Sequence, residues 1–300
     1  MIQRDPDTRL RLENTARQPN PAAPEYMFWL GHNPGRWAML HQAVDASGNP
    51  IPARRAVVFC PPFAEEEKCS RRLYVDLARS LAPRGVASLR LAYAGTGDSQ
   101  GEFSDFSLEG AVADVTDALT WLRDTLQPAA LAVFGLRLGG SLALQAAGAE
   151  PGVDRVALWA PVTNGRSYVR MNFRRKAIRQ MINTGATQGQ EAVKATPDTG
   201  SDPDPAGIFD FDGYPVARTL WDEMERLRLA PQAGWAGQCL VVSVGPADRP
   251  TPDCVALANS LTEAASQVEL RNVVAQPFWN LLGLVECPEI VEMTANWLAR

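Results

Sequence analysis

The stretch ALAVFGLRLGGSLALQAA, residues 130–147, decides the fold of this chain. It opens with the apolar run LAVF, which is typical of a buried strand. It ends in the run SLALQAA, whose residues favour helix. Gly135 and Gly139 lie between the two runs, and without a Cβ they allow a strand and a helix to pass close together. The stretch therefore predicts a strand, a sharp turn centred on Arg137, and a helix.

Strand and helix patterns alternate on both sides of this stretch. A strand, a helix and a second strand in succession favour parallel pairing, so we expect an α/β fold with a mostly parallel central sheet flanked by helices. The predicted strands are 25–30, 36–44, 55–60, 86–93, 131–134, 153–160, 238–244 and 267–274, and the predicted helices are 70–83, 107–126, 141–147, 253–265 and 288–298.

The alternation stops between residues 161 and 237. Within this range, 184–205 has the composition of a loop, 209–215 that of a tight turn, and 217–229 that of a helix. We interpret the range as a helical cap insertion over the C-terminal edge of the sheet, where ligands bind in open α/β folds. The predicted division is a mobile arm at 1–24, a core at 25–160 and 238–300, and the cap at 161–237.

The composition excludes several functional classes. A chain of 300 residues with 46% hydrophobic and 21% charged residues is typical of a globular protein. The net charge of −5 argues against nucleic acid as a partner. No apolar stretch is long enough to span a bilayer, and the N-terminus lacks the apolar core of a signal peptide. The five cysteines have irregular spacing, which indicates reduced thiols of a cytoplasmic protein and predicts neither a metal site nor a cofactor.

The strand, turn and helix at residues 130–147 resemble the nucleophile elbow of the α/β-hydrolases. With the strand order and the closing helix, they make the chain similar to the serine-aminopeptidase-like branch of that superfamily. The resemblance implies an α/β-hydrolase fold with a cap. In such hydrolases the central elbow residue is Ser, Cys or Asp, whereas here it is Arg137. A guanidinium stays protonated and has no free lone pair with which to attack a carbonyl.

Shorter motifs resemble a narrower family, the exosortase A system-associated hydrolases of the second type. These are bacterial proteins linked to exopolysaccharide and protein-sorting loci, and the resemblance implies that Arg at the elbow is typical of them. One departure is Pro61, because the relatives have His-Pro-Phe at 61–63, in a loop that normally lends an N–H to the oxyanion hole. The motifs are PFAEE at 62–66, SRR at 70–72, the loop 93–101, GLRLG at 135–139 and GY at 213–214.

Arg137 has two interpretations, and the sequence leaves both open. At the start of a helix its guanidinium could bind a carboxylate or phosphate bidentately. Alternatively it forms an internal ion pair with Glu65, Glu66 or Asp248, because a charge at that depth needs a partner. The predicted ligand or anion site comprises Arg137, Phe63, Leu138, Glu65, Glu66, Asp248 and Gln276.

A serine triad cannot be assembled from this sequence. The two histidines, His32 and His41, come early, whereas hydrolases of this kind carry theirs near the end of the chain. We expect His32 to be exposed in a turn and His41 to be half-buried on a strand. Asp248 follows a strand at the position of a triad acid, but Gln276 occupies the region where the histidine is expected, and an amide is not a general base.

Three residues are candidates for an unorthodox nucleophile. Cys60 ends the third predicted strand but has no evident histidine partner. Ser99 lies in a literal G-x-S-x-G at 97–101, although no helix follows it at once. Asp248 is the third candidate. None of them is assigned as catalytic, and the loop of Ser99 has the composition of a glycine-rich turn.

Basic residues crowd the start of the predicted cap. With the aromatic residues between them they could dock an acidic protein or anionic lipid headgroups, or they could form a solvated helix face. These arginines are Arg166, Arg170, Arg174, Arg175 and Arg179.

The residues favour a pseudohydrolase that binds an anionic or acyl ligand, or a partner protein, without turnover. The alternative is an active hydrolase or acyltransferase on an ester, thioester or peptide, with a non-standard nucleophile. A third hypothesis is a membrane-peripheral adaptor that acts through the arginine-rich cap. A homodimer is compatible with each. What separates the first two is whether any nucleophile has a base within hydrogen-bond reach.

Overall fold

The computed structural model describes residues 24–31, 35–183, 204, 207–211, 213–264, 266–281, 283 and 285–300, without the side chains of 176–183. The strands in this part of the chain are β1 Glu25–Leu30, β2 Arg36–His41, β3 Arg55–Cys60, β4 Val86–Leu91, β5 Ala130–Leu136, β6 Val153–Trp159, β7 Ile208–Phe211, β8 Tyr214–Ala217, β9 Gln238–Gly245 and β10 Gln267–Val274. The helices are α1 Glu65–Leu81, α2 Leu108–Leu126, α3 Leu138–Ala149, α4 Gly165–Asn183, α5 Arg218–Arg226, α6 Pro252–Glu263 and α7 Pro288–Ala299.

Eight of these strands form one sheet in the order β1-β2-β4-β3-β5-β6-β9-β10. β2 is antiparallel to both of its neighbours, and all pairs from β4 to β10 are parallel. The elbow strand β5 therefore lies near the middle, between β3 and β6. This confirms the predicted fold class, a mostly parallel sheet flanked by helices.

Apolar residues alternate between the two faces of the central strands, and each face is covered by helices. On β3, Ala56, Val58 and Cys60 pack in the cluster that includes α2, α3 and α6. Val57 and Phe59 pack in the second cluster, with α1 and α7. The central strands are thus buried on both sides, as parallel strands in α/β folds are. The carboxyl ends of β3, β4 and β5 open onto the region where the elbow lies.

Several predicted boundaries need correction. Helix α1 begins at Glu65, five residues before the predicted start, because the chain turns at Ala64 (φ 57°) and the acidic side chains that follow suit a helix N-terminus. The predicted tight turn at 209–215 is part of a β-hairpin, in which β7 pairs with β8. Helix α5 ends at Arg226 instead of 229. The predicted mobile arm, apart from Pro24, and the predicted loop 184–205, apart from Asp204, lie outside the described residues.

None of the five cysteines forms a disulfide. Cys60, Cys69, Cys239 and Cys254 are buried on β3, α1, β9 and α6, and Cys287 is half-buried just before α7. Across the described residues, no group of three His, Cys, Asp or Glu side chains is placed to hold a metal ion. None of the described helices is both long enough and apolar enough to cross a membrane.

Candidate functional site

The turn between β5 and α3 has the geometry of a strained elbow. Arg137 sits at its apex with φ 54° and ψ −124°, a conformation that costs energy for a residue with a side chain. Its N–H donates to the Trp159 carbonyl at 3.0 Å. A Cβ on Gly135 would overlap the backbone of Gly139, and a Cβ on Gly139 would overlap the Cys60 carbonyl oxygen. The two glycines are therefore required for the close approach of strand and helix.

The side chain of Arg137 is held by groups from four other parts of the chain. Nε donates to Glu66 Oε1 at 3.4 Å, and Nη1 donates to the Ala160 carbonyl at 2.8 Å. The guanidinium also lies 4.9 Å from the ring centre of Trp279 and 5.5 Å from that of Tyr168. The side chains of Arg137 and Glu66 are only 11% and 5% exposed. The space above the elbow is thus occupied by a buried ion pair.

Tyr168 adds a further hydrogen bond to this ion pair. Its hydroxyl donates to Glu66 Oε2 at 2.9 Å, so both carboxylate oxygens of Glu66 accept a hydrogen bond. Burial raises the pKa of Glu66, and the nearby Arg137 charge and the Tyr168 hydroxyl oppose that rise. Because a guanidinium stays protonated, removal of the carboxylate would leave an uncompensated charge in a poorly solvated place.

Of the three carboxylates predicted as partners for Arg137, the structure selects Glu66. Glu65 instead lies 3.2 Å from Lys68 Nζ, and it accepts from the Tyr214 hydroxyl at 3.4 Å. Asp248 is exposed in the loop after β9, and no ion pair or hydrogen bond joins it to Arg137. Gln276 is likewise exposed, after β10. Phe63 and Leu138 are buried beside the elbow.

The environment of Cys60 argues against its use as a nucleophile. Its side chain is fully buried, and burial raises the pKa of the thiol, which keeps it protonated. The Tyr74 hydroxyl donates to the Cys60 carbonyl at 2.8 Å and accepts from the Leu136 N–H at 3.0 Å. Tyr74 thereby ties the ends of β3 and β5 together.

Ser99 is occupied by a structural role. Its hydroxyl donates to the Ala92 carbonyl at 2.7 Å and accepts from the Trp37 N–H at 2.9 Å. Both contacts fasten the glycine loop to the edge of the sheet. The literal G-x-S-x-G is therefore a turn motif in this fold, without the strand–turn–helix context of an elbow.

His41 is fully buried, not half-buried as predicted, and it is remote from the elbow. It is 2% exposed, and its Nδ1 lies 3.3 Å from Glu25 Oε1. Burial and the nearby Arg90 charge lower its pKa to about 4. β2 lies three strand positions from β5, a distance of about 14 Å. His32 lies outside the described residues.

A cleft of about 400 Å³ lies beside the elbow, across the ends of β3 and β4. Its lining combines aromatic and aliphatic side chains with charged ones. The apolar part of the lining includes Trp37, Phe63, Phe103, Phe106, Leu138, Leu142 and Tyr214, and the charged part consists of Glu67, Lys68, Arg71, Arg90 and Asp98.

Several of these residues were not among the sequence-predicted site residues. Arg90 had a visible signal, because it is a charged residue near the carboxyl end of the otherwise apolar strand VASLRL. Tyr168 and Trp279, which contact Arg137, gave no such signal, since only the folded chain brings residues that distant to one point.

The family model described as "Serine aminopeptidase, S33" matches residues 51–203, just over half of the chain. The chain belongs to the serine aminopeptidase S33 family. The matched range of this S33 family member includes the elbow and stops before β9. No curated protein matches the chain.

Solved structures share the fold of this S33 family member. Est1E from Butyrivibrio proteoclasticus, determined with bound ferulic acid, is 16% identical over 91% of this chain and 96% of its own, with a TM-score of 0.60. A Pyrobaculum calidifontis esterase is 16% identical over 98% and 89%, with a TM-score of 0.55. The esterase domain of a Rhodothermus marinus protein is 19% identical over 92% and 97%, with a TM-score of 0.55. At these identities the similarity establishes the α/β-hydrolase fold.

Proposed function

We propose that this S33 family member is a pseudohydrolase, which binds a ligand in the elbow region and does not turn it over. The observation that carries the proposal is the Arg137–Glu66 pair, which puts a fixed positive charge where a hydrolase presents its nucleophile. A serine hydrolase needs a nucleophile, a base that takes its proton, and an acid that orients the base. His41, the histidine within the described residues, lies on β2 and is too distant to act as that base.

The remaining parts of the elbow favour binding. Leu138 begins α3, and N–H groups in a first helical turn have no intrahelical acceptor. Pro61 and Pro62 carry no N–H, so the loop after β3 offers no backbone hydrogen-bond donor at these two positions. A ligand could use the apolar cleft next to Leu138 without meeting a reactive group.

Treatment with a reactive fluorophosphonate, followed by intact-mass and peptide mass spectrometry, tests the proposal. The expected result is an unmodified mass under conditions that fully label a serine esterase in a parallel reaction. An adduct on Ser99, or on any other serine, would overturn the pseudohydrolase assignment and would identify the nucleophile.

The esterases among the structural relatives favour one alternative, an active hydrolase or acyltransferase with a non-standard nucleophile. Of its three candidates, Cys60 is buried and Ser99 is fully hydrogen-bonded, which leaves the exposed carboxylate of Asp248. Hydrolysis of p-nitrophenyl acetate by the wild-type protein and by Asp248→Asn tests it. A turnover that Asp248→Asn abolishes would support the alternative, and equal background rates would exclude this nucleophile.

We also propose that the chain belongs to the exosortase A-associated group, on the strength of the GLRLG elbow and the motifs described with it. An exosortase gene beside the gene for this chain would support that placement. Its basic helix α4 would then dock an acidic partner. Arg166, Arg170 and Arg174 are exposed on this helix, and Arg175 donates to Asn280. The side chain of Arg179 lies outside the described residues.

A further inference from the structure

We infer that the cleft across the ends of β3 and β4 binds a monocarboxylate with an apolar, aromatic body, its carboxylate on Arg90 and its body against Phe106 and Leu138. The inference rests on the proposed ligand-binding role and names the ligand class. The volume of about 400 Å³ lies in the range of small-molecule pockets, and the lining joins apolar walls to a few polar groups.

Arg90 is the cation of the cleft that lacks a carboxylate partner. Lys68 lies 3.2 Å from Glu65 Oε2, and Arg71 lies 2.8 Å from Glu67 Oε2. Within the part of the chain that the structure describes, no ion pair of this kind forms at Arg90. It is half-buried on β4, and burial lowers its pKa, so its charge is less well solvated than that of a surface arginine. A carboxylate could accept two parallel hydrogen bonds from the guanidinium and restore that solvation.

The ring of Trp37 contacts the Arg90 guanidinium and restricts its movement. The guanidinium lies 5.8 Å from the centre of the Trp37 ring, a cation–π distance. The main chain at Trp37 is held by Ser99, because the backbone N–H of Trp37 donates to Ser99 Oγ at 2.9 Å. The contact with the Trp37 ring restricts the guanidinium before a ligand arrives, which reduces the side-chain entropy lost on binding.

An apolar body has a matching surface in the same cleft. The ring of Phe63 lies 5.6 Å from that of Phe103 and 5.7 Å from that of Phe106. Leu138 and Leu142 of α3 also line the cleft. Planar rings favour tilted and offset contacts at these separations, so an aromatic body is the better fit.

The charge of the lining favours a single negative charge on the ligand. Lys68 and Arg71 are already paired with Glu65 and Glu67, so Arg90 is the cation of the lining whose charge a ligand can meet. A phosphate dianion would be repelled by the carboxylates of Glu67 and Asp98. A monocarboxylate carries half that charge and is repelled less.

Tyr214 brings the β7–β8 hairpin into this site. Its ring lies 5.3 Å from the Phe103 ring, and Lys68 Nζ lies 5.2 Å from its centre. The side chain therefore lines both the aromatic and the charged part of the cleft. The hairpin comes from the segment that interrupts the strand–helix alternation, so that segment contributes directly to ligand selection.

Isothermal titration of the full chain with 3-phenylpropionate tests the inference, with 3-phenylpropionamide as the neutral analogue. The acid should bind at least about tenfold more tightly than the amide, because a hydrogen bond between two charged groups is stronger than one to a neutral acceptor. Arg90→Met should remove this preference. Arg72→Met is the matched control, because Arg72 is an exposed arginine of α1, paired with Asp76, and does not line the cleft.

Equal affinity of wild-type protein for acid and amide, or no binding of either, would overturn the inference. So would an Arg90→Met variant that keeps the preference for the acid. If Arg90→Met does not fold, as circular dichroism would show, the comparison of acid and amide on wild-type protein decides alone. A fluorophosphonate adduct together with an Arg90-dependent preference would remove the pseudohydrolase assignment and leave the ligand class standing, so the two failures are distinguishable.

Discussion

Arg137 and Glu66 lie on different elements, the turn after β5 and the first turn of α1, and each is the other's counter-ion. Glu66→Gln should therefore cost about 3 to 5 kcal/mol of unfolding free energy, because it leaves a buried guanidinium without its carboxylate. Urea denaturation measures this loss.

Glu65→Gln is the matched control, one residue earlier in the same helix. Glu65 is half-buried and pairs with the exposed Lys68, so its loss should cost less than about 1 kcal/mol. Equal losses for the two variants would contradict the buried pair as an anchor of the elbow.

Arg137→Ser should not create an esterase. The hydroxyl would sit at the apex of a correctly formed turn, but no histidine of the described residues is in reach to take its proton, and a general base contributes a factor of about 10² to 10⁴. Rates of p-nitrophenyl acetate hydrolysis should match those of the wild-type protein within a factor of about two. A hundredfold rise would show that another group, such as the neighbouring carboxylate of Glu66, serves as the base.

His41 should make the protein sensitive to acid. Burial lowers its pKa from 6.5 to about 4, so between these values the unfolded chain binds a proton that the native chain does not. Stability therefore falls as the pH falls through this window, and by pH 4 the loss from this group reaches about 3 kcal/mol.

His41→Gln removes that group and keeps a polar side chain of similar size. The difference in unfolding free energy between wild type and variant, measured from pH 7 to pH 4, isolates the histidine from the carboxylates that titrate in the same range. Parallel pH profiles would show that the pKa of His41 is the same in the native and the unfolded chain, against this prediction.

The elbow itself could be predicted from the sequence because its requirements are local. Two glycines, an apolar run and a helix-forming run stand within 18 residues of one another. The partner of Arg137 could not be chosen among three carboxylates, since nothing near Glu65 or Glu66 in the chain records which side chain faces the turn. Tyr168 and Trp279 were missed for the same reason.

At the scale of elements, Gly139 is where β3 and α3 come closest. Gly139→Ala should cost at least about 1 to 3 kcal/mol, because the added Cβ would overlap the Cys60 carbonyl and backbone must move. Gly245→Ala is the matched control: nothing lies within 4 Å of its added Cβ, so it should stay within about 0.5 kcal/mol of wild type. Denaturation midpoints of the two variants make the comparison.

The predicted limits agree best with the structure for strands that are followed directly by turn residues. The strands at 25–30, 55–60 and 267–274 have the predicted limits. Helix α2 also begins as expected, with Ser107 accepting from the Gly110 N–H at 3.0 Å. The hairpin of β7 and β8 was missed because its strands are only four residues long, although the alternation of Phe209 and Phe211 is a strand signal.

At the scale of the whole molecule, the parallel sheet followed from alternation alone, because chain connectivity leaves few other arrangements. The cleft could not be predicted from this alternation. Its walls come from β2, α1, β4, the loop after β4, α3 and β8, and no local pattern records that these segments meet. The fold could thus be predicted from the sequence. The site could not, because it depends on contacts between residues nearly 180 positions apart in the chain, from Trp37 to Tyr214.

Alkylation of the five cysteine thiols can be used to measure local opening of the structure. Under native conditions a maleimide should modify Cys287 quickly and the four buried thiols slowly. Because those four lie on β3, α1, β9 and α6, the alkylation rate of each, resolved by peptide mass spectrometry, measures how often that one element opens. Uniform slow rates would describe a cooperative unit, and a faster rate at Cys69 would show that α1, which carries Glu66, detaches from the sheet before the rest unfolds.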